Sequence, residues 1–291
     1  MDPSVIGVLG AGTMGAGIAQ VAAQAGFETL LYDVSQEFVD KGLSRIRDFL
    51  KKSRERGKLT EDEEKKIRAR LRGSLNLEEM RSAALVIEAV PEKFELKREI
   101  FQKLDTVCAA DALLATNTSS LSVTAIGGVT RKPERTLGLH FFNPPPLMAL
   151  VEVIQAAHTS DEVIQKAVEI VQRLGKTPVV VKDTPGFVVN RIARPFYNEA
   201  LRILGEGQAT METIDRIMKE AGKFPMGPFE LMDLIGNDVN FATTESLYLS
   251  LFHDPAFRPS PIQHRMVLAG HLGRKTGKGF YSYDPSTGSG S

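Results

Sequence analysis

The sequence predicts an α/β fold: a doubly wound sheet domain over residues 1–184, followed by an all-α domain over residues 185–284. Three observations predict it. Apolar strand-like runs alternate with helical patterns as far as Val181, the alternation stops at the punctuated stretch Lys182-Asp183-Thr184-Pro185-Gly186, and the first apolar run enters a glycine-rich turn. The turn fixes the class of the first domain.

Val5 to Leu9 leads into GAGTMG at residues 10–15 and on into AGIAQVAAQAG, which reads as strand, glycine turn and Ala-rich helix. Gly10 allows the tight turn, Gly12 lets a phosphate approach the backbone, and Gly15 lets the helix lie close to the strand, so that helix N–H groups face a pyrophosphate. Phe27 to Tyr32 is a second apolar run, and it ends in Asp33. A carboxylate there accepts both ribose hydroxyls of an adenosine and repels a 2′-phosphate. Val34, Ser35 and Gln36 bring no arginine, so the expected cofactor is NAD rather than NADP and the domain is Rossmann-like. The plainer alternative is a glycine-rich turn beside an exposed aspartate.

Ser35 starts a long polar helix that ends near Arg56-Gly57. Thr60 with Glu63 forms a capping box for another, to about Arg72. From Lys41 to Arg72 there are thirteen basic residues and six acidic ones. This pair, about residues 36–72, is expected to project from the sheet domain. Either it is an ordinary solvated face, or it meets the phosphates of a large anionic substrate; composition fits both.

Ala84 to Val90 is a buried-type strand, followed by a helix through Lys97 to Val107 and a strand from Leu113 to Thr118. Asn117, Thr118, Ser119 and Ser120 then fall at the carboxyl end of that strand, where an open parallel sheet binds ligands. Ser120 is read as a helix cap. Strands at Thr136 to Phe142, Leu150 to Ile154 and Pro178 to Val181 flank a helix from Asp161 to Leu174. The helical domain should hold Phe187 to Leu204, kinked at Pro195, then Met211 to Ala221, Phe229 to Phe252 and Pro261 to Ala269. Its surplus of Leu, Ile, Phe and Met predicts a homodimer. Residues 285–291, PSTGSGS, read as a flexible, solvated tail.

His140 and Glu152 stand out because each interrupts an apolar run, LHFF and LVEVI. Each ionisable group would be costly to bury alone, and least costly if the two meet. A carboxylate bonded to one ring nitrogen orients the imidazole and stabilises its protonated form, leaving the other nitrogen to exchange a proton with a ligand. That describes a general base. A core histidine satisfied by a backbone carbonyl fits the stretch equally well.

Composition narrows the partners. Lys plus Arg equals Asp plus Glu at 36 each, so no overall field recruits nucleic acid or a membrane. The single cysteine, Cys108, excludes an internal disulfide, and the start lacks a long apolar run, so a cytoplasmic location is expected. The histidines are scattered without metal-ligand spacing.

GAGTMGAGIAQVAAQAG, NTSSL at 117–121, LHFFNPPPLMALVEVI, KDTPGFVVNR at 182–191, FPMGPFELMDLIG at 224–236 and GRKTGKGFYSY together resemble the 3-hydroxyacyl-CoA dehydrogenases, most of all the stand-alone short-chain form. The likeness spans nearly the whole chain. It implies oxidation of the 3-hydroxyl of an acyl-CoA to a ketone with NAD, or the reverse, with His140 as catalytic base, Glu152 as its acidic partner, and Ser119 and Asn190 holding the substrate's oxygens. The family's NAD contacts map onto Asp33, Glu92, Lys97, Asn117, Asn143 and Lys275, and Asn143 also falls at the substrate.

The chain departs from the family at Ala149, where relatives often carry lysine, and at Ile46, which takes the place of a CoA-contacting serine; Lys52 stands in for the lysine of that site. Two other classes remain: a β-hydroxyacid dehydrogenase acting on a small free acid, and a non-catalytic NAD-binding or crystallin-like relative. The first would have no need of the basic helix pair, and the second would have no need of the catalytic set.

Overall fold

The computed structural model describes residues 5–283, and its contacts divide the chain into one unit ending at Phe187 and another beginning at Val188. The expected tail lies outside the described residues. The first unit runs β1 (Val5–Leu9), α1 (Thr13–Gln24), β2 (Glu28–Tyr32), α2 (Gln36–Glu55), α3 (Glu61–Ala69), β3 (Leu71–Ser74), β4 (Leu85–Glu88), α4 (Phe94–Val107), β5 (Leu113–Thr116), α5 (Val123–Gly127), β6 (Thr136–Phe141), β7 (Leu150–Gln155), α6 (Asp161–Arg173) and β8 (Thr177–Lys182).

These strands form one sheet in the order β3-β2-β1-β4-β5-β6-β7-β8, parallel throughout except where β7 meets β6 antiparallel. The order reverses between β1 and β4, so a ligand crevice is expected outside their carboxyl ends. Strand alternation explains why both faces are covered. Ile6, Val8, Leu85, Ile87, Leu113 and Ala115 join the core with α1 and α6, while Val86 and Leu114 join Phe101 and Leu104 of α4 on the other face. The doubly wound expectation holds, and its physical cause is this two-sided burial.

The helix pair departs from its expected form in two ways. Its second helix ends at Ala69, and Leu71–Ser74 becomes the edge strand β3, pairing with β2 from Thr29 to Tyr32. Nor does the pair stand clear of the domain. Ile46, Leu50 and Ile67 are buried in the same core as α1 and β1, which leaves Lys41, Lys51, Lys52, Arg56 and Lys58 on the exposed side. The capping box is present: Thr60 Oγ1 accepts the Glu63 amide, and the Glu63 carboxylate accepts the Thr60 amide at 2.8 Å.

The second unit is helical: α7 (Val189–Gly205), α8 (Met211–Glu220), α9 (Pro228–Ile235), α10 (Asn237–Ser250) and α11 (Pro261–Leu268). The single helix expected from Phe229 to Phe252 is two, because Gly236 takes φ +103°, a left-handed conformation that breaks the helical path. Two buried aspartates organise this unit. Asp215 accepts the Phe229 and Glu230 amides at the start of α9 and the Tyr281 hydroxyl, and Asp233 accepts the Phe280 and Tyr281 amides and the Tyr283 hydroxyl. Together they fasten the closing GKGFYSY segment.

Candidate active site

Because β1, β2, β4, β5 and β6 all run the same way, Gly10–Gly12, Asp33, Glu92, Asn117–Ser120 and His140 lie at one edge of the sheet. Glu152 joins them from the antiparallel strand, where it is the direct cross-strand partner of His140. Side chains at such paired positions share a face.

At the glycine turn, Gly10 has φ +93°, and a Cβ on Gly15 would collide with the Gly10 carbonyl oxygen. A Cβ on Gly12 would meet open space, and α1 begins there with no side-chain cap, leaving its first amides for an anion. Asp33, at the end of β2, accepts the Ala11 and Val34 amides at 2.7 Å each. Its carboxylate is thereby fixed against the turn, with lone pairs left over for further donors. These residues fit an NAD adenosine and pyrophosphate. Arg45 of α2, which sequence reasoning passed over, reaches the Ala11 carbonyl at 3.3 Å.

His140 is 6% exposed, and its Nδ1 lies 2.8 Å from Glu152 Oε2, a residue with no exposed surface. A carboxylate accepts, so Nδ1 carries the hydrogen, and Nε2 of the neutral ring offers a lone pair. Phe142 and Phe187 flank the ring at centroid distances of 4.5 and 5.8 Å. The surroundings are apolar on two sides, which strengthens the pair electrostatically.

The NTSS segment hangs on Glu92. Its Oε1 accepts the Thr118 hydroxyl at 2.5 Å, the Ser119 amide at 2.8 Å, and the Ser120 amide and hydroxyl at 3.1 Å. Burial alone would raise the Glu92 carboxyl, but the Lys97 charge and these hydrogen bonds outweigh it and hold the group below the usual carboxylate range. The Ser119 hydroxyl is 3.5 Å from the same oxygen, a weak bond that leaves it available to another partner. Ser120 does not cap a helix; Ser122 caps α5, accepting the Ala125 amide at 3.1 Å. Asn117 accepts the Phe141 amide through its Oδ1 at 2.8 Å, tying β5 to the strand of His140.

Lys97 is 1% exposed, with Nζ 2.6 Å from Glu88 and 3.2 Å from Glu92. Its amino group thus bridges a fully buried carboxylate, Glu88, and one that is partly exposed, Glu92. Glu88 is also absent from the sequence reading, although it interrupts the apolar run ALVIEAV just as Glu152 interrupts LVEVI. Asn143 is exposed in the loop after β6, and Lys176 binds the carbonyls of Pro145 and Met148 in that loop at 2.7 and 2.8 Å. Lys52 is exposed on α2. In the second unit, Asn190 is half-buried in the first turn of α7, and Lys275 pairs with Asp238 at 2.6 Å.

Comparison with known proteins shows the family of the chain. The model of the 3-hydroxyacyl-CoA dehydrogenase NAD binding domain matches residues 5–184, and that of the C-terminal domain of the same enzymes matches residues 186–283. The chain is 46% identical over 97% of its length to 3-hydroxyadipyl-CoA dehydrogenase of Escherichia coli, of which it spans 60%. It is 43% identical over 96% of its length to 3-hydroxybutyryl-CoA dehydrogenase of Bradyrhizobium diazoefficiens, of which it spans 94%. The crystal structure of (S)-3-hydroxybutyryl-CoA dehydrogenase from Ralstonia eutropha superimposes with a TM-score of 0.93 at 42% identity, covering 97% of this chain and 100% of that one. The chain therefore belongs to the 3-hydroxyacyl-CoA dehydrogenase family of NAD-dependent oxidoreductases.

Proposed function

We propose that the chain catalyses the reversible oxidation of (S)-3-hydroxyacyl-CoA, of short chain as in 3-hydroxybutyryl-CoA, to the 3-ketoacyl-CoA. The observation that carries this reading is the His140–Glu152 pair, 2.8 Å apart at the same sheet edge as the glycine turn. Loss of hydride from carbon 3 requires loss of the hydroxyl proton, and His140 Nε2 is the acceptor. Glu152 stabilises the imidazolium that results and keeps Nδ1 protonated throughout. NAD, when bound, supplies the hydride acceptor. Gly10, Gly12, Gly15 and Asp33 hold it, with Glu92, Lys97, Asn117, Asn143 and Lys275 assigned to it by family resemblance. Ser119 and Asn190 take the substrate's oxygens, and Lys52 with its basic neighbours takes the CoA phosphates.

The free-acid alternative is disfavoured because the basic side of α2 and α3 would serve no purpose there. We also infer a cytoplasmic homodimer. The exposed apolar residues Ile192, Leu249, Phe252 and Leu268 of the second unit support the dimer, and the single cysteine, Cys108, free and buried, supports a reducing compartment.

The test is NADH oxidation with acetoacetyl-CoA, compared with acetoacetate. His140→Gln should bind NADH normally yet lose turnover by about 10²- to 10⁴-fold. Near-normal turnover in that variant, or equal rates with the free acid, would sink the assignment.

A further inference from the structure

We propose that Glu88 is a positioning residue for the segment Thr118–Ser120, acting through Lys97 and Glu92. The proposal rests on the assignment of Ser119 to the substrate and deepens it. Glu88 ends β4 with no exposed surface. By strand alternation it faces α4, as does Thr116 at the end of β5. One of its oxygens accepts Lys97 Nζ at 2.6 Å and the Val90 amide at 2.8 Å; the other accepts the Thr116 hydroxyl at 2.7 Å. Both oxygens are engaged by groups of the interior and the residue has no exposed surface, so Glu88 acts on structure and has no direct part in the reaction.

The consequence lies in how one ammonium is shared between two carboxylates. Lys97 sits closer to Glu88 than to Glu92, at 2.6 against 3.2 Å, and approaches Glu92 through Oε2. Glu92 Oε1 is thereby left to the donors of Thr118, Ser119 and Ser120. Were Glu88 neutral, Lys97 would have a single anionic partner and would draw the Glu92 carboxylate toward itself. The Ser119 amide would then lose its acceptor, and the Ser120 amide would keep only the long bond to the Thr118 hydroxyl at 3.4 Å. Glu88 thus sets, at two removes, where the Ser119 hydroxyl stands.

Glu88→Gln keeps the shape and removes the charge, and hydrogen exchange reads the segment without reference to any substrate. Exchange at the Ser119 and Ser120 amides should quicken about tenfold, while amides in β4 and β5 stay protected. In acetoacetyl-CoA reduction at saturating NADH, Glu88→Gln should lower kcat/KM about tenfold, yet lower it less than about twofold in a Ser119→Ala background. Unchanged exchange at Ser119 and Ser120, or an equal loss in both backgrounds, would overturn the proposal and reduce Glu88 to a core ion pair. If Glu88→Gln does not fold, Glu88→Asp keeps the charge but draws the carboxylate back from Lys97 and touches no group of the Thr118–Ser120 segment. The same selective exchange is expected of it, about threefold, and its absence is equally decisive. A chain inactive toward acetoacetyl-CoA but showing the selective exchange would overturn the proposed reaction and leave the positioning chain standing.

Discussion

Asp33 has two tasks that a substitution separates. Its carboxylate accepts the Ala11 and Val34 amides at 2.7 Å, and in the proposed function the lone pairs that remain take the adenosine ribose. Hydrogen bonds to a charged group contribute about 1.5–3 kcal/mol, so Asp33→Ala should weaken NAD binding by about 10- to 100-fold. Loss of the negative charge, with Arg45 close by on the Ala11 carbonyl, should also narrow the preference over NADP. Unchanged discrimination between the two cofactors in steady-state kinetics would refute this. At this scale the sequence was most informative where an ionisable residue breaks an apolar run. His140 and Glu152 could be read in that way, because each needed a partner and the other was the nearest. Glu88 carried the same signal unread, since its partner lies on a helix and side-chain direction across a strand–helix turn does not follow from spacing. Lys97 is assigned to the cofactor by the family resemblance alone, and the packing of α4 sets its amino group between Glu88 and Glu92.

Among the elements, strands buried on both faces and helices with capping residues were legible, because burial and capping each leave a compositional mark. The edge strand β3 left none: its four residues include Arg72 and Gly73, and only its pairing with β2 defines it. The break at Gly236 coincides with Gly236-Asn237-Asp238, a turn signal masked by apolar residues at helical spacing on both sides of it. A third element-level feature bears on the site, since Asp105 of α4 binds Arg131 at 2.8 Å and Arg135 at 2.9 Å just before β6, the strand of His140. Burial pushes the Asp105 carboxyl up, but hydrogen bonds from Arg131 and Arg135 win and hold it below its ordinary 3.8. A depressed folded value means the contribution is complete above the unfolded value and is lost as pH falls through the folded one. Asp105→Asn leaves the buried Arg135 charge uncompensated and should cost about 3–5 kcal/mol at neutral pH. Urea unfolding should find the gap between variant and wild type narrowing below about pH 4. A gap that stays constant with pH would show that Asp105 is not the titrating group.

For the whole molecule, net charge is zero, with 36 basic and 36 acidic residues, so any field that gathers an anionic substrate must be local. The exposed side of α2 and α3 is where the imbalance lies. Some of it is cancelled at home, by Lys41 with Glu37 and Lys65 with Glu61. Arg47, Lys52, Arg56 and Lys58 have no ion pair among the described residues. If these grip CoA phosphates, each contact is solvent-exposed and contributes about 0.2–1 kcal/mol, and it should fade as the Debye length shrinks from about 10 Å at 0.1 M salt to about 3 Å at 1 M. The KM for acetoacetyl-CoA should therefore rise several-fold across that range, roughly as two or three such contacts would require. A phosphate-free thioester analogue should show a flat response, and Lys52→Ala with Arg56→Ala should flatten the response to the CoA ester. Equal salt slopes for the two substrates would mean that the basic face is simply solvated, and that the CoA moiety is held elsewhere.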